Sequence, residues 1–251
     1  MYRLYIFLIL IILLSACKST TIVQHVSDID VAYLRSEPGV GTAYDSTIEE
    51  MIKPYREELS VEMDVVVGEM PEDLKKEKPN SNMGNWFADI LHDVASSVYD
   101  KPVAFAIQNY GGLRVPSVTK GPLTKGKIFE LMPFDNKLII LELNGTEVQK
   151  LCDLMAGSRG WPISRGLSMT MEDHKAKDVK VNGELISLDK KYNIALPDYV
   201  ANGGGGGDFL KDISQYDTGY YIREAVIEHL TSMQADGTPI TVDNTQRINQ
   251  Y

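Results

Sequence analysis

A chain of 251 residues, 43% hydrophobic and 24% charged, is long enough for one sizeable core and too mixed in composition for a disordered or collagenous polymer. Asp and Glu outnumber Lys and Arg, 35 to 25, and the pI near 4.9 argues against a duplex-binding protein, which needs a basic face to displace counterions from phosphates. Two cysteines, Cys17 and Cys152, and four scattered histidines supply neither a disulfide framework nor a histidine-rich metal cluster.

Arg3, an unbroken apolar run over residues 4–14, and then Ser15, Ala16 and Cys17 have the charged start, hydrophobic middle and small-residue end of a secretory signal. The run is too short to cross a hydrocarbon core, which takes about 20 helical residues. Leu14-Ser15-Ala16-Cys17 resembles the bacterial lipobox, which implies that Cys17 becomes the first mature residue and carries lipid. An ordinary signal peptide with an incidental cysteine is the alternative. Acyl chains, at ~0.8 kcal/mol per buried methylene, would hold the mature chain on a membrane of the bacterial cell envelope. Lys18, rather than the aspartate associated with inner-membrane retention, leans toward the outer membrane.

Residues 18–44 mix Ser, Thr, Gly and Pro with few apolar side chains and read as a tether. Asp45, Ser46 and Thr47 offer a helix start ahead of Ile48, Met51, Ile52 and Tyr55, and Pro54 predicts that this helix kinks or ends early. Residues 61–67 show a strand pattern stopped by Gly68, and the lysine-rich stretch 73–78 reads as a solvated loop. From Asn82, the residues Met83, Trp86, Phe87, Ile90, Leu91, Val94 and Val98 form one helical stripe, with Asp89, His92 and Asp93 on the opposite face. Residues 103–107 and 138–143 read as buried strands, the first running into a loop at Gly111-Gly112. Thr146 and Gln149 supply a capping-box pattern for a helix with Val148, Leu151, Cys152 and Met155 on one face, which makes Cys152 a core residue.

Asn182-Gly183, between residues 179–181 and 184–186, predicts a two-residue hairpin. Residues 194–197 read as a short strand, Thr218 as the cap of a last helix with Ile222, Ala225, Val226 and Leu230, and residues 240–242 as a closing strand. Strands and helices mix without a strict βαβ repeat, so the expected fold class is α+β, built in layers.

Glycines 203–207 are the most conspicuous run. Glycine amides can cradle phosphate, but no P-loop lysine or dinucleotide fingerprint accompanies them, and a flexible or close-approach loop is the competing reading. His92 and His174 read as surface residues, no Gly-x-Ser-x-Gly elbow is present, and neither cysteine looks activated. More telling are Asn109, Arg114, Phe134 and Tyr199, each at a strand end or in a glycine-flanked loop. Two rings can stack on a heterocycle, and arginine forks onto phosphate oxygens. Singly each is commonplace, and Phe134 after Pro133 also suits a core position.

Together, Asn82-Met83-Gly84-Asn85, Asn109-Tyr110-Gly111-Gly112-Leu113-Arg114, Met132-Pro133-Phe134-Asp135-Asn136, Leu143-Asn144-Gly145 and Asp198-Tyr199-Val200-Ala201-Asn202-Gly203-Gly204 resemble, in order and spacing, the C-terminal domain of the 5'-nucleotidase family. The resemblance implies a four-layer α/β/β/α sandwich over residues 45–251 that binds nucleotide. On it, Phe134 and Tyr199 sandwich the base, tyrosine replacing the usual phenylalanine, Asn109 contacts the base, Arg114 holds phosphate, and Gly203, Gly204 and Gly205 form the loop after the second ring. Gly205 stands where the family usually has an aspartate for the ribose hydroxyls, with Asp208 as a candidate substitute if the loop shifts. Lys75-Lys76-Glu77-Lys78 stands where a second arginine is expected, and lysine is a less directional phosphate partner.

In that family a separate N-terminal metallophosphatase domain holds two metal ions and performs the hydrolysis. The roughly 30 residues between Cys17 and the first expected helix are too few for such a domain. The expectation is therefore the nucleotide-binding half of a 5'-nucleotidase-type phosphohydrolase, with no cofactor of its own. Divalent metals are expected in a separately encoded metallophosphatase partner, and no DNA or RNA polymer is expected as ligand. The alternatives are a stand-alone nucleoside- or nucleotide-binding lipoprotein without catalysis and a degenerate interaction domain.

Overall fold

The computed structural model describes residues 46–250; the signal segment, Cys17 and the 18–44 tether lie outside the described residues. Among the described residues no helix is long and apolar enough to cross a membrane. Helix α1 (Ser46–Met63) runs on through Pro54, against the expectation of an early end, and takes up the start of the expected 61–67 strand. Proline lacks an N–H and crowds the carbonyl four residues back, that of Glu50. No residue of α1 is buried, so water can satisfy that carbonyl and the helix continues. Strand β1 is accordingly Val66–Met70, with Gly68 inside it rather than ending it.

Beyond β1 come β2 (Leu74–Lys75), α2 (Asn82–Val98), β3 (Phe105–Ala106), β4 (Ser117–Val118), β5 (Gly121–Thr124), α3 (Lys125–Leu131), β6 (Lys137–Asn144) and α4 (Gly145–Gly157). The chain continues with β7 (Leu167–Glu172), β8 (Lys175–Val181), β9 (Glu184–Leu185), β10 (Lys191–Pro197), α5 (Asp198–Ala201), β11 (Gln215–Tyr221), α6 (Ile222–Ala235) and β12 (Ile248–Gln250). A central sheet has the order β11-β6-β10-β3, a second sheet the order β12-β7-β8-β9, and β1-β5 and β2-β4 are two-stranded.

Side chains alternate across a strand, and β6 uses both faces. Leu138 and Ile140 join a core with Phe87 and Leu91 of α2 and Val226 of α6. Ile139, Leu141 and Leu143 join a second core with Met169 of β7, Val179 of β8 and Leu151 of α4. Helix α4 is also fastened to β8, Gln149 Nε2 donating to the Ala176 carbonyl at 2.8 Å and Ala176 N–H to Asp153 Oδ1 at 2.9 Å. The layers are thus α2 with α6, central sheet, second sheet and α4, the α/β/β/α sandwich that the resemblance implies. The fold class is α+β.

Helix α2 starts where the stripe begins because Ser81 caps it, its Oγ accepting from Gly84 N–H at 3.0 Å. Its polar face is not simply solvated. Asp89 accepts two hydrogen bonds from Arg247, at 2.9 and 2.7 Å, and His92 is half-buried with Nε2 3.1 Å from the Val103 carbonyl oxygen. His174 is exposed in the β7–β8 turn, as expected. The capping box of α4 is Asn144 with Glu147, not Thr146 with Gln149: Glu147 N–H donates to Asn144 Oδ1 at 2.9 Å and Asn144 N–H to Glu147 Oε2 at 2.8 Å. Cys152 is core, and burial pushes its thiol pKa up.

The hairpin at Asn182-Gly183 has both turn residues at positive φ, 52° and 83°, as its two-residue turn requires. Thr218 caps nothing; it lies in β11, its hydroxyl donating to the Leu138 carbonyl at 2.7 Å, and α6 begins after Tyr221. Residues 240–242 form no strand. Proline cannot donate to a ladder, and after Pro239 the Ile240 side chain packs instead into the α2–α6 core. The closing strand is β12, which pairs parallel with β7.

Candidate functional site

Three segments reach the same end of the central sheet. Phe134, Asp135 and Asn136 lead into β6, Tyr199 follows β10, and Asn109 lies just beyond β3. Because β10 runs antiparallel to β6 and parallel to β3, with Pro197 opposite Leu138 and Ala195 opposite Ala106, the start of β6 and the ends of the other two coincide. Around this end lies a cavity of about 540 Å³ lined by Asn109, Gly111, Gly112, Arg114, Phe134, Asp135, Asn136 and Tyr199. All four of the side chains singled out in the sequence therefore line one cavity.

Phe134 is 38% and Tyr199 49% exposed, so neither ring is a core residue. Asp198 fastens the two ring-bearing segments together: one oxygen, Oδ1, accepts from Asn136 Nδ2 at 2.8 Å and from Tyr199 N–H at 2.7 Å. The glycine run then holds the tyrosine. A Cβ on Gly204 would lie 2.4 Å from the Tyr199 carbonyl oxygen and 2.5 Å from its ring, so the chain can fold back on Tyr199 only with glycine there. Gly205 N–H donates to the Tyr199 hydroxyl at 3.2 Å. Gly203, Gly204 and Gly205 thus make a close-approach loop, and they support the ring rather than line the cavity. Asp208 does not line it either; its side chain is exposed and paired with Lys211.

On the opposite side, Asn109 precedes a tight turn at Tyr110–Gly112. A Cβ on Gly112 would fall 1.9 Å from the buried Gln108 Nε2, which in turn donates to Asn109 Oδ1 at 3.2 Å. Leu113 is buried and anchors the loop. Arg114 N–H donates to the Leu131 carbonyl at 2.9 Å, and the guanidinium stands 5.6 Å from the centre of the Phe134 ring.

The stretch 73–78 is more than a solvated loop. Lys76 and Lys78 place their Nζ atoms 4.0 and 4.2 Å from the centre of the Tyr110 ring, and both ammonium groups donate to backbone carbonyls, those of Leu113 and Ser158. Burial, then the neighbouring charges of Arg114 and Lys78, lower the Lys76 pKa; burial and Arg159 lower that of Lys78. A chain with net charge −10 thus gathers cations beside this cavity. Sequence reasoning placed Lys76 and Lys78 where a second arginine is expected but missed their packing over Tyr110, and it missed the role of Asp198. The alternate-residue spacing of the two lysines, which sends them to one side of an extended segment, was the available signal for that packing.

The fold and cavity define a domain of the nucleotidase type. The chain belongs to the family described as 5'-nucleotidase, C-terminal domain, which matches residues 64–212. It is 25% identical over 209 residues to the 5'-nucleotidase of Vibrio cholerae, covering 79% of this chain and 36% of that protein. With the trifunctional nucleotide phosphoesterase protein YfkN of Bacillus subtilis it shares 28% identity over 169 residues, 61% of this chain and 11% of that protein. The solved 5'-nucleotidase precursor of Thermus thermophilus superimposes with a TM-score of 0.70 at 26% identity, over 82% of this chain and 43% of that one. The chain thus spans about a third of the length of its Vibrio relative and less than half of this solved neighbour.

Proposed function

We propose that this chain is the nucleotide-binding half of a 5'-nucleotidase-type phosphohydrolase, anchored in the bacterial envelope through lipid on Cys17 and working with a separately encoded metallophosphatase chain. The observation that carries the reading is the convergence of two exposed rings, an amide and a guanidinium on one cavity. Stacking a base on an aromatic side chain contributes ~1–3 kcal/mol, so Phe134 and Tyr199 hold the base and Asn109 meets its edge. Arg114 offers forked donors to phosphate, and Lys76 adds charge behind it. The names carried by relatives, 5'-nucleotidase and nucleotide phosphoesterase, support the phosphohydrolase class.

Among the described residues no group of three or more His, Cys, Asp or Glu side chains is placed to hold a metal ion. On this reading the divalent metals belong to the partner, where they would supply a water nucleophile and charge stabilisation. This chain's own part is to bind the nucleotide and orient its phosphate. Purified chain should bind AMP in calorimetric titration, release no phosphate by itself, and raise nucleotide hydrolysis when mixed with its metallophosphatase. If no metallophosphatase from the same source associates with it or gains activity, the two-chain assignment falls. AMP binding in that case leaves a nucleotide-capture lipoprotein.

A further inference from the structure

Among the residues lining the cavity there is a single carboxylate, Asp135. Its side chain is 77% exposed, yet it is not free to sweep through rotamers: Oδ1 accepts from Arg223 Nη2 at 2.7 Å. Arg223 is itself buried in the first turn of α6, stacked 4.3 Å from the centre of the Phe129 ring and bonded to Glu224 at 2.8 Å. One guanidinium therefore faces two carboxylates and does not cancel them. Asp135 presents a held, partly uncompensated negative charge next to Phe134. As a surface ion pair alone it would contribute little.

Two of the three neutral side-chain acceptors on the lining already have a donor, and a neutral oxygen is a weaker acceptor than a carboxylate. Asn109 Oδ1 accepts from Gln108, and the Tyr199 hydroxyl accepts from Gly205. The third, the Asn136 amide, donates through Nδ2 to Asp198, which leaves its neutral oxygen as the remaining acceptor. The one charged acceptor among the lining side chains is Asp135, and the one positive charge is Arg114. An anionic phosphate is drawn to Arg114 and repelled by Asp135, whereas neutral hydroxyl groups donate well to a carboxylate.

We infer that Asp135 is the acceptor for the sugar hydroxyls of a bound nucleoside or nucleotide, held in position by Arg223, and that it makes the site selective for ribose. The assignment rests on the nucleotide reading proposed above. It also fixes the direction of the ligand, with the diol beside Asp135 and the phosphate toward Arg114.

The test compares adenosine with 2′,3′-dideoxyadenosine by calorimetric titration on the wild-type chain and on Asp135→Asn and Asp135→Ala. The exposed side chain leaves both variants able to fold, which circular dichroism checks. The wild type is expected to bind adenosine at least about tenfold more tightly than the dideoxy compound, since hydrogen bonds to charged groups contribute about 1.5–3 kcal/mol. Both variants should lose most of that ratio by weakening adenosine alone. A wild-type ratio within about twofold, or variants that weaken both ligands equally, overturns the assignment. Binding of neither nucleoside nor AMP by the wild type overturns the nucleotide reading itself, and Asp135 with it.

Discussion

Phe134 and Tyr199 keep much of their apolar surface in water, forgoing burial free energy of about 25 cal/mol per Å². Truncating either should therefore cost little stability. Phe134→Ala and Tyr199→Ala are each expected to weaken AMP binding by ~1–3 kcal/mol in calorimetric titration, with thermal unfolding nearly unchanged. Lys76 gives a second handle. Burial, Arg114 and Lys78 lower its pKa, so it loses its charge at lower pH than a free lysine. Affinity for AMP should fall on the alkaline side earlier than ordinary lysine chemistry dictates, affinity for uncharged adenosine should not, and Lys76→Arg should remove the difference. At this scale the sequence was only half legible. Phe134 between proline and aspartate suits a core or a surface equally, and nothing local distinguishes the two until β6 and β10 bring Tyr199 to the same cavity. Asp198 and the lysines act through partners far away in the chain, which periodicity does not register.

The elements that were easiest to read carry a one-sided apolar pattern. The stripes of α2 and of α4 were visible because burial on one face forces a 3.6-residue recurrence, and the Asn182-Gly183 turn because positive φ restricts residue choice. Errors fell where burial was absent or two-sided. Helix α1 buries nothing, so Val61 looked like the start of a strand, and β11 is a sheet edge whose exposed tyrosines and Asp217 conceal its pairing with β6. The cap of α4 lies two residues before Thr146 because Asn144, the last residue of β6, also caps the helix. That box is testable: Asn144→Ala should cost about 1 kcal/mol in denaturant unfolding, while Thr146→Ala should cost much less.

For the molecule as a whole, two cores share one central sheet, and α2 is tied to the C-terminal segment. Arg247, only 4% exposed, binds Asp89 of α2, Asp243 and the Ile163 carbonyl together. Burial pushes the Asp243 carboxyl up, but hydrogen bonds from Arg247 and Thr245 outweigh it and hold the group at about 2 against an ordinary 3.8. A depressed carboxyl contributes stability that is present above the unfolded pKa and lost as pH falls through the folded one. Acid unfolding should therefore steepen between about pH 4 and pH 2, and Asp243→Asn should be less stable at neutral pH but lose less across that window in urea titrations. The proposed lipid anchor predicts that Cys17→Ser moves the chain from the membrane to the soluble fraction of fractionated cells; retention of the variant on the membrane would overturn that proposal. The pairing of β6 with β10, finally, bears on what the rings can hold. The segments that carry Phe134 and Tyr199 are joined by the β6–β10 ladder beside them and by one shared carboxylate oxygen. Strand register changes only in whole residues, so in the proposed base clamp the separation of the two rings is stepped rather than continuously adjustable. A different thickness of ligand would call for an insertion or bulge at a strand end, and point substitutions there would alter how firmly a flat ring is gripped without altering the gauge.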